Sequence, residues 1–121
     1  MWLAGVGSRR ADGSRISGKL GTDLTVEQGY EGARWCALNL LARMKVELGN
    51  LDRVTGILKV VGMVNSSPDF EEQAKVVDGA SDLFVELFGE AGRHSRSAPG
   101  MAVLPANTAV IVECVIEIKQ D

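Results

Sequence analysis

The chain has 121 residues and a mass of 12.9 kDa, so it has room for a single domain over residues 1–121 with one core. A net charge of −3 gives no positive field that would attract nucleic acid or an anionic membrane, and we expect neither partner. No stretch approaches the roughly 20 apolar residues of a membrane span, and the first residues do not form a signal peptide. The expected location is the cytoplasm.

The two cysteines, Cys36 and Cys114, each lie inside an apolar run of the sequence. Two thiols in a chain of this size do not form the dense disulfide framework of a small secreted domain. We therefore expect both to be reduced residues of the core.

The first segment, residues 2–21, contains five glycines, and the sequence at 11–14 is typical of a turn between two extended pieces. It predicts a hairpin with a loose loop.

A long amphipathic helix follows. Thr25 is a good N-cap with Gln28 in the capping-box position, and Gly49 ends the run. Trp35 lies on the face opposite the apolar stripe, where it could mark a contact surface or be half-covered by its neighbours. The stripe itself consists of Ala33, Ala37, Leu40, Leu41, Met44 and Leu48.

The second half of the chain predicts three more strands and another helix. Residues 54–64 are apolar on both alternating faces, which is typical of a central strand. Ser67, before Pro68, is the predicted start of a second amphipathic helix that ends at Gly89. Residues 96–104 form an extended segment, and residues 110–119 alternate as a strand with one core face.

This order of elements predicts an α+β fold, a mixed sheet with both amphipathic helices on one face. The other sheet face would then expose the apolar residues of the central strand in a monomer. Burial against further copies of the chain is the simplest way to cover them, so we expect an oligomer with closed symmetry.

Most of the usual chemical motifs are missing from the sequence. His94 is the only histidine, and no second ligand stands at metal-site spacing, so we expect no metal and interpret His94 as a loop or surface residue. Residues 5–7 lack the third glycine of a dinucleotide fingerprint, and no cofactor is predicted. Neither Ser95 nor Ser97 lies in the turn that presents a nucleophilic serine.

Residues 93–97 concentrate cationic side chains at the entry to a strand of an otherwise acidic protein. A planar guanidinium on a rigid strand, such as that of Arg96, can bind a carboxylate through two parallel hydrogen bonds. The alternative, an arginine paired with a surface carboxylate, is at least as well supported by the sequence alone.

Several stretches together resemble the RidA/YjgF family, also called endoribonuclease L-PSP or chorismate-mutase-like, over nearly the whole chain. The resemblance is to a less studied branch of the family. It implies a homotrimer in which the sheets form an inner barrel, the helices lie outside, and ligand clefts lie between subunits. The stretches are Leu3-Ala4-Gly5, the helix from Thr25, Val64-Asn65-Ser66 with Pro68-Asp69-Phe70, and Arg96-Ser97 with Leu104-Pro105.

Better-studied members hydrolyse reactive enamines and imines to a keto acid and ammonia. The resemblance implies that Arg96 holds the carboxylate of such an imino or keto acid. It places Gly5, Asp78 and Ala98 at further ligand-binding positions, where Asp78 stands for the family's asparagine and Ala98 for its cysteine. The family's water-activating glutamate is matched by Ile111, so the catalytic residue is unknown. The family's opening strand is expected to be missing before Met1.

Three functions stay open at this point. The first is a deaminase acting on imines or enamines. The second is a non-catalytic trimer that binds a small carboxylate metabolite, favoured by Ile111 and Ala98 unless a carboxylate such as Asp78, or Glu113 of a neighbouring subunit, replaces the glutamate. The third, a ribonuclease or translation inhibitor, follows only from the family's older label, and the acidic net charge argues against it.

Overall fold

The structure is a computed structural model that describes residues 1–120. The chain contains five strands and two long helices, with short 3-10 turns at Leu51–Arg53, Gly89–Gly92 and Pro105–Asn107. The strands and helices are β1 (Trp2–Gly7), α1 (Val26–Leu48), β2 (Val54–Asn65), α2 (Gln73–Phe88), β3 (Ser95–Ser97), β4 (Gly100–Met101) and β5 (Val110–Ile118).

The strands form one mixed sheet in the order β1-β5-β2-β3, and β4 also pairs with β2. β5 is antiparallel to both β1 and β2, whereas β3 and β4 run parallel to β2. β1 and β3 therefore lie at opposite edges of the sheet. This separation decides which residues one chain can bring together.

Both helices pack on the same face of the sheet, as the sequence predicts. The buried residues of β5 are Val110, Val112, Cys114 and Ile116, every second residue of the strand. On β2, a side chain at Gly62 would come within 2.6 Å of Val77 on α2, so the glycine lets the helix approach the sheet closely. The predicted α+β fold is confirmed.

The beginning and end of α1 follow the sequence signals. The Thr25 side chain accepts from the Gln28 N–H and the Gln28 side chain accepts from the Thr25 N–H, which completes the capping box. Gly49 ends the helix with a φ of 81°. Trp35 is partly buried and packs against the core, so it is half-covered and not freely exposed.

The predicted cysteine state is also found. Cys36 and Cys114 are free and buried among apolar side chains, and burial raises the pKa of each thiol to about 12.

The predicted opening hairpin is only half right. The turn exists, because Asp12 accepts hydrogen bonds from the Ser14 N–H and hydroxyl at 2.9 and 2.6 Å. The chain also turns back on itself, with an antiparallel bridge between Arg9 and Arg15, but the returning residues between 8 and 24 form no regular strand. The chain from 8 to 24 is instead held by isolated bridges, such as Ser17 to Thr108 and Leu20 to Ser66.

The predicted start of α2 is also wrong. Ser67 and Phe70 form a turn, and the helix begins at Gln73, whose side-chain amide donates to the Phe70 carbonyl at 2.8 Å. Residues 96–104 likewise do not form one strand. They contain the last two residues of β3 and all of the short strand β4, and both strands pair with β2.

The sheet face away from the helices is uncovered in a single chain. Met63 and Ile111 are paired neighbours on this face, and Trp2 at its edge is 84% exposed. The structure thus contains the bare face that the strand pattern predicts. Among residues 1–120, no helix is long and apolar enough to cross a membrane.

Candidate functional site

The register of β3 decides where the side chain of Arg96 lies. Arg96 is the partner of Val60 on β2, and Val60 is fully buried on the helix side of the sheet. Because side chains alternate along a strand, Arg96 is also on the helix side, and Ser95 and Ser97 are on the other. The guanidinium therefore meets α2.

One face of α2 supplies the partners of Arg96. Ala74, Asp78 and Ser81 are spaced by four and three residues, so they follow one another along that face. Arg96 Nη1 donates to Asp78 Oδ1 at 2.7 Å and to Ser81 Oγ at 3.1 Å, and Nη2 makes a long 3.4 Å contact with the Ala74 carbonyl. Arg96 and Asp78 are 23% and 47% exposed, so the ion pair lies near the surface.

A second chain of hydrogen bonds leads from Ser81 to His94. His94 Nδ1 lies 2.6 Å from the Gly92 carbonyl oxygen, which can only accept, so Nδ1 carries the proton. In the neutral imidazole Nε2 then accepts from the Ser81 hydroxyl at 2.9 Å, and Ser81 Oγ accepts from Arg96. Burial and, to a smaller degree, the charge of Arg96 lower the pKa of His94, while the bond to Gly92 raises it.

These contacts leave one edge of the guanidinium available. An arginine has five N–H donors, and Asp78 and Ser81 take both donors of Nη1. Nε has no partner among the described residues, and one hydrogen of Nη2 remains. Nε and Nη2 form the side-on edge that binds a carboxylate through two parallel hydrogen bonds. Arg96 is thus paired with its own carboxylate, as the alternative interpretation holds, and still has a bidentate edge.

Of the other predicted ligand-binding residues, Ala98 lies beside Arg96 in the chain, but Gly5 is not brought to Arg96 within one chain. Gly5 lies on β1, at the opposite edge of the sheet, where a side chain would come within 2.6 Å of Ile111. Ala98 follows β3 directly and is partly buried against the core. The structure therefore joins Arg96 and Asp78 and places Gly5 and Ile111 elsewhere.

Two members of this cluster, Ser81 and His94, were not identified by the sequence analysis as site residues. His94 was interpreted as a loop or surface histidine, but it is half-buried and its ring lies edge-on to Phe84 at 6.0 Å. The available signal was the spacing of Asp78 and Ser81 on one helix face. The residue that they meet depends on strand pairing, which that spacing does not reveal.

Comparison with known proteins gives the family. The sequence model of the family described as "YjgF/chorismate mutase-like, putative endoribonuclease" matches residues 12–118. The chain belongs to this family. Among curated proteins, Protein TCP17 of Trypanosoma cruzi is 48% identical over 108 residues, which are 88% of this chain and 68% of that protein.

Solved structures agree with this assignment. The protein Atu1372 of Agrobacterium tumefaciens, of unknown function, is 37% identical with a TM-score of 0.95, over 98% of this chain and 75% of that one. A "putative endoribonuclease" of Shewanella oneidensis is 37% identical with a TM-score of 0.92, over 97% and 78% of the two chains. The family and the fold expected from the resemblance are therefore confirmed.

Proposed function

We propose that this RidA/YjgF family member binds a small carboxylate metabolite, of the imino- or keto-acid class, through the free edge of Arg96. The observation that supports this most directly is that hydrogen bonds within the chain already hold the Arg96 side chain in place. Asp78 and Ser81 fix Nη1, so the side-chain entropy of the arginine is already reduced before a ligand arrives. The Nε and Nη2 donors that remain match a carboxylate.

We propose further that the complete cleft is formed by two chains of a homotrimer. Gly5 and Arg96 lie at opposite edges of one sheet, so a ligand that contacts both requires a second copy. The bare sheet face supports an oligomer independently, because an apolar patch of exposed Trp2 with partly exposed Met63 and Ile111 is unfavourable in water.

Binding is a better-supported function than rapid turnover. At the two positions where the resemblance implies a glutamate and a cysteine, the chain has Ile111 and Ala98, neither of which transfers a proton. Asp78 also neutralises part of the charge of Arg96. A ligand-binding trimer fits these residues without requiring an unidentified acid.

The test is calorimetric titration with pyruvate. Wild-type protein should bind, and Arg96→Ala at matched oligomeric state should bind at least about tenfold more weakly, since a charge-assisted hydrogen bond contributes roughly 1.5–3 kcal/mol. Arg93→Ala is the matched control, because Arg93 is exposed and paired only with Glu90. Equal affinity of wild type and Arg96→Ala would refute the proposal.

A second candidate function, hydrolysis of imines, is favoured by one observation. Ser81 and His94 form a hydrogen-bonded pair beside Arg96, with neutral Nε2 as an acceptor. Such a pair could accept a proton in place of the missing glutamate. Pyruvate release from freshly generated 2-iminopropanoate would test it, and His94→Gln should lower kcat by about 10²-fold or more with little change in pyruvate affinity. No acceleration by a well-folded wild-type oligomer would leave the binding function alone.

A further inference from the structure

We propose that Ser81 and His94 are positioning residues for Arg96, and that a proton on His94 strengthens the binding of a carboxylate at the free edge of the guanidinium. Both residues act through Arg96 and need no contact with the ligand. This inference rests on the proposed function, which supplies the ligand, and it adds a proton-linked control of affinity to the same site.

The three side chains are linked by hydrogen bonds that meet at one hydroxyl group. Ser81 Oγ lies 3.1 Å from Arg96 Nη1 and 2.9 Å from His94 Nε2. The two nitrogens are therefore no more than 6.0 Å apart. A charge on the imidazole at that distance acts on any anion that binds the guanidinium.

The hydrogen bonds can accommodate a second proton on His94 without releasing Arg96. Both ring nitrogens of a charged histidine are donors, so Nδ1 keeps its 2.6 Å bond to the Gly92 carbonyl and Nε2 now donates to Ser81 Oγ. That oxygen has two lone pairs, and it accepts from His94 and Arg96 together. The serine proton turns to a backbone carbonyl of the preceding turn of α2, which is a usual bond for a serine in a helix. Protonation thus adds charge and keeps the position of Arg96.

The groups that surround His94 leave Arg96 as the charge that acts on it. The side chains that contact the ring, those of Ser81 and Phe84 on α2, are uncharged. Burial and the charge of Arg96 lower the pKa of His94, so an anion that neutralises Arg96 should raise it. Because binding free energies are reciprocal, the proton must favour the anion by the same factor. The charged groups of the neighbouring elements have partners of their own, which are Glu90 with Arg93, Lys59 with Ser97, Asp82 with Tyr30 and Asp78 with Arg96.

The first experiment is calorimetric titration of the full chain with pyruvate at pH 8 and pH 5.5, in wild type and His94→Gln. Pyruvate keeps its carboxylate ionised at both values. The wild type should gain at least about twofold more affinity in acid than the variant does, because a unit charge roughly 8 Å from the ligand contributes about this much even at the dielectric constant of water. The glutamine can still accept from Ser81 without carrying a charge, so the variant should match the wild type at pH 8.

A second pair of variants tests the hydroxyl group that joins the residues. Ser81→Ala removes one of the two bonds that hold Arg96 Nη1, and pyruvate affinity at pH 8 should fall about threefold or more. Ser95→Ala is the matched control, because the Ser95 hydroxyl donates to the Leu58 carbonyl and not to this cluster. Its affinity should equal that of the wild type. Thermal unfolding verifies that each variant is folded.

The third measurement follows His94 itself by nuclear magnetic resonance. It is the only histidine in the chain, so its ring signals are unambiguous. Saturating pyruvate should raise the pKa of His94 in the wild type and leave it unchanged in Arg96→Ala.

The outcomes separate this inference from the proposed function. Pyruvate binding that needs Arg96 but gains equally in acid in wild type and His94→Gln, with no change in the titration of His94, would overturn the inference and leave the proposed function standing. Equal affinity of wild type and Arg96→Ala would overturn both.

Discussion

Replacing Asp78 by asparagine should strengthen the binding of a carboxylate to Arg96. The asparagine oxygen can still accept from Arg96 Nη1, which now lies 2.7 Å from Asp78 Oδ1, so the arginine keeps its position. The substitution removes a negative charge beside the proposed ligand. A ligand carboxylate on the Nε and Nη2 edge and the Asp78 carboxylate would bind adjacent edges of one guanidinium and repel each other.

The size of this repulsion follows from Coulomb's law. Two carboxylates on adjacent guanidinium edges are about 5–6 Å apart, which gives about 0.8 kcal/mol in bulk water and about 3 kcal/mol at an effective dielectric constant of 20. Asp78 is 47% exposed, so a value near the lower limit applies. We expect about 1 kcal/mol, which is about a fivefold gain in affinity.

The assay is calorimetric titration with pyruvate at two salt concentrations, because a Coulombic gain should shrink as ionic strength rises. Asp82→Asn is the matched control. It removes the same charge one helical turn further along α2, where the Asp82 carboxylate accepts from the Tyr30 hydroxyl and not from Arg96. An unchanged or weaker pyruvate affinity in Asp78→Asn, or an equal gain in Asp82→Asn, would show that Asp78 does not compete with the ligand.

Three further predictions concern the fold. Gly79→Ala should destabilise the protein by about 1–3 kcal/mol in urea unfolding, because its Cβ would overlap a backbone carbonyl of α1, whereas Gly56→Ala meets only an ordinary 3.7 Å contact and lacks this clash. Because the pKa of His94 is lowered in the folded protein, unfolded chains bind more protons than folded chains do below about pH 6.5. Unfolding free energy should therefore fall as pH drops through that value, and His94→Gln should weaken this fall; an unchanged pH profile would contradict it. Cys36 and Cys114 should react with iodoacetamide at pH 8 only after denaturation, and rapid labelling of native protein would contradict their burial.

Local signals in the sequence predict the parts of the fold that depend on neighbouring residues. Thr25, Gln28 and Gly49 fix the ends of α1 through their own side chains and backbone, so no distant contact was needed to locate them. The same reasoning failed at Ser67. There the bridge of Leu20 to Ser66 and the turn that closes at Phe70 override the local preference for a helix start.

The candidate site was predictable only in part for the same reason. The resemblance identified Arg96 and Asp78, and the fold places them 2.7 Å apart. The link from Ser81 to His94 depends on how β3 pairs with β2, which is a contact between residues far apart in the chain. Composition and periodicity carry no information about that register.

The strand order makes a last prediction about the proposed cleft of Arg96. Gly5 and Arg96 lie at opposite edges of one sheet, so a cleft with both needs two chains, and its affinity for pyruvate should fall when dilution dissociates the assembly. Titrations with pyruvate above and below the concentration at which sedimentation shows dissociation would test this dependence. Pyruvate affinity that is the same in dissociated chains would mean that Arg96 binds its ligand without a neighbouring subunit.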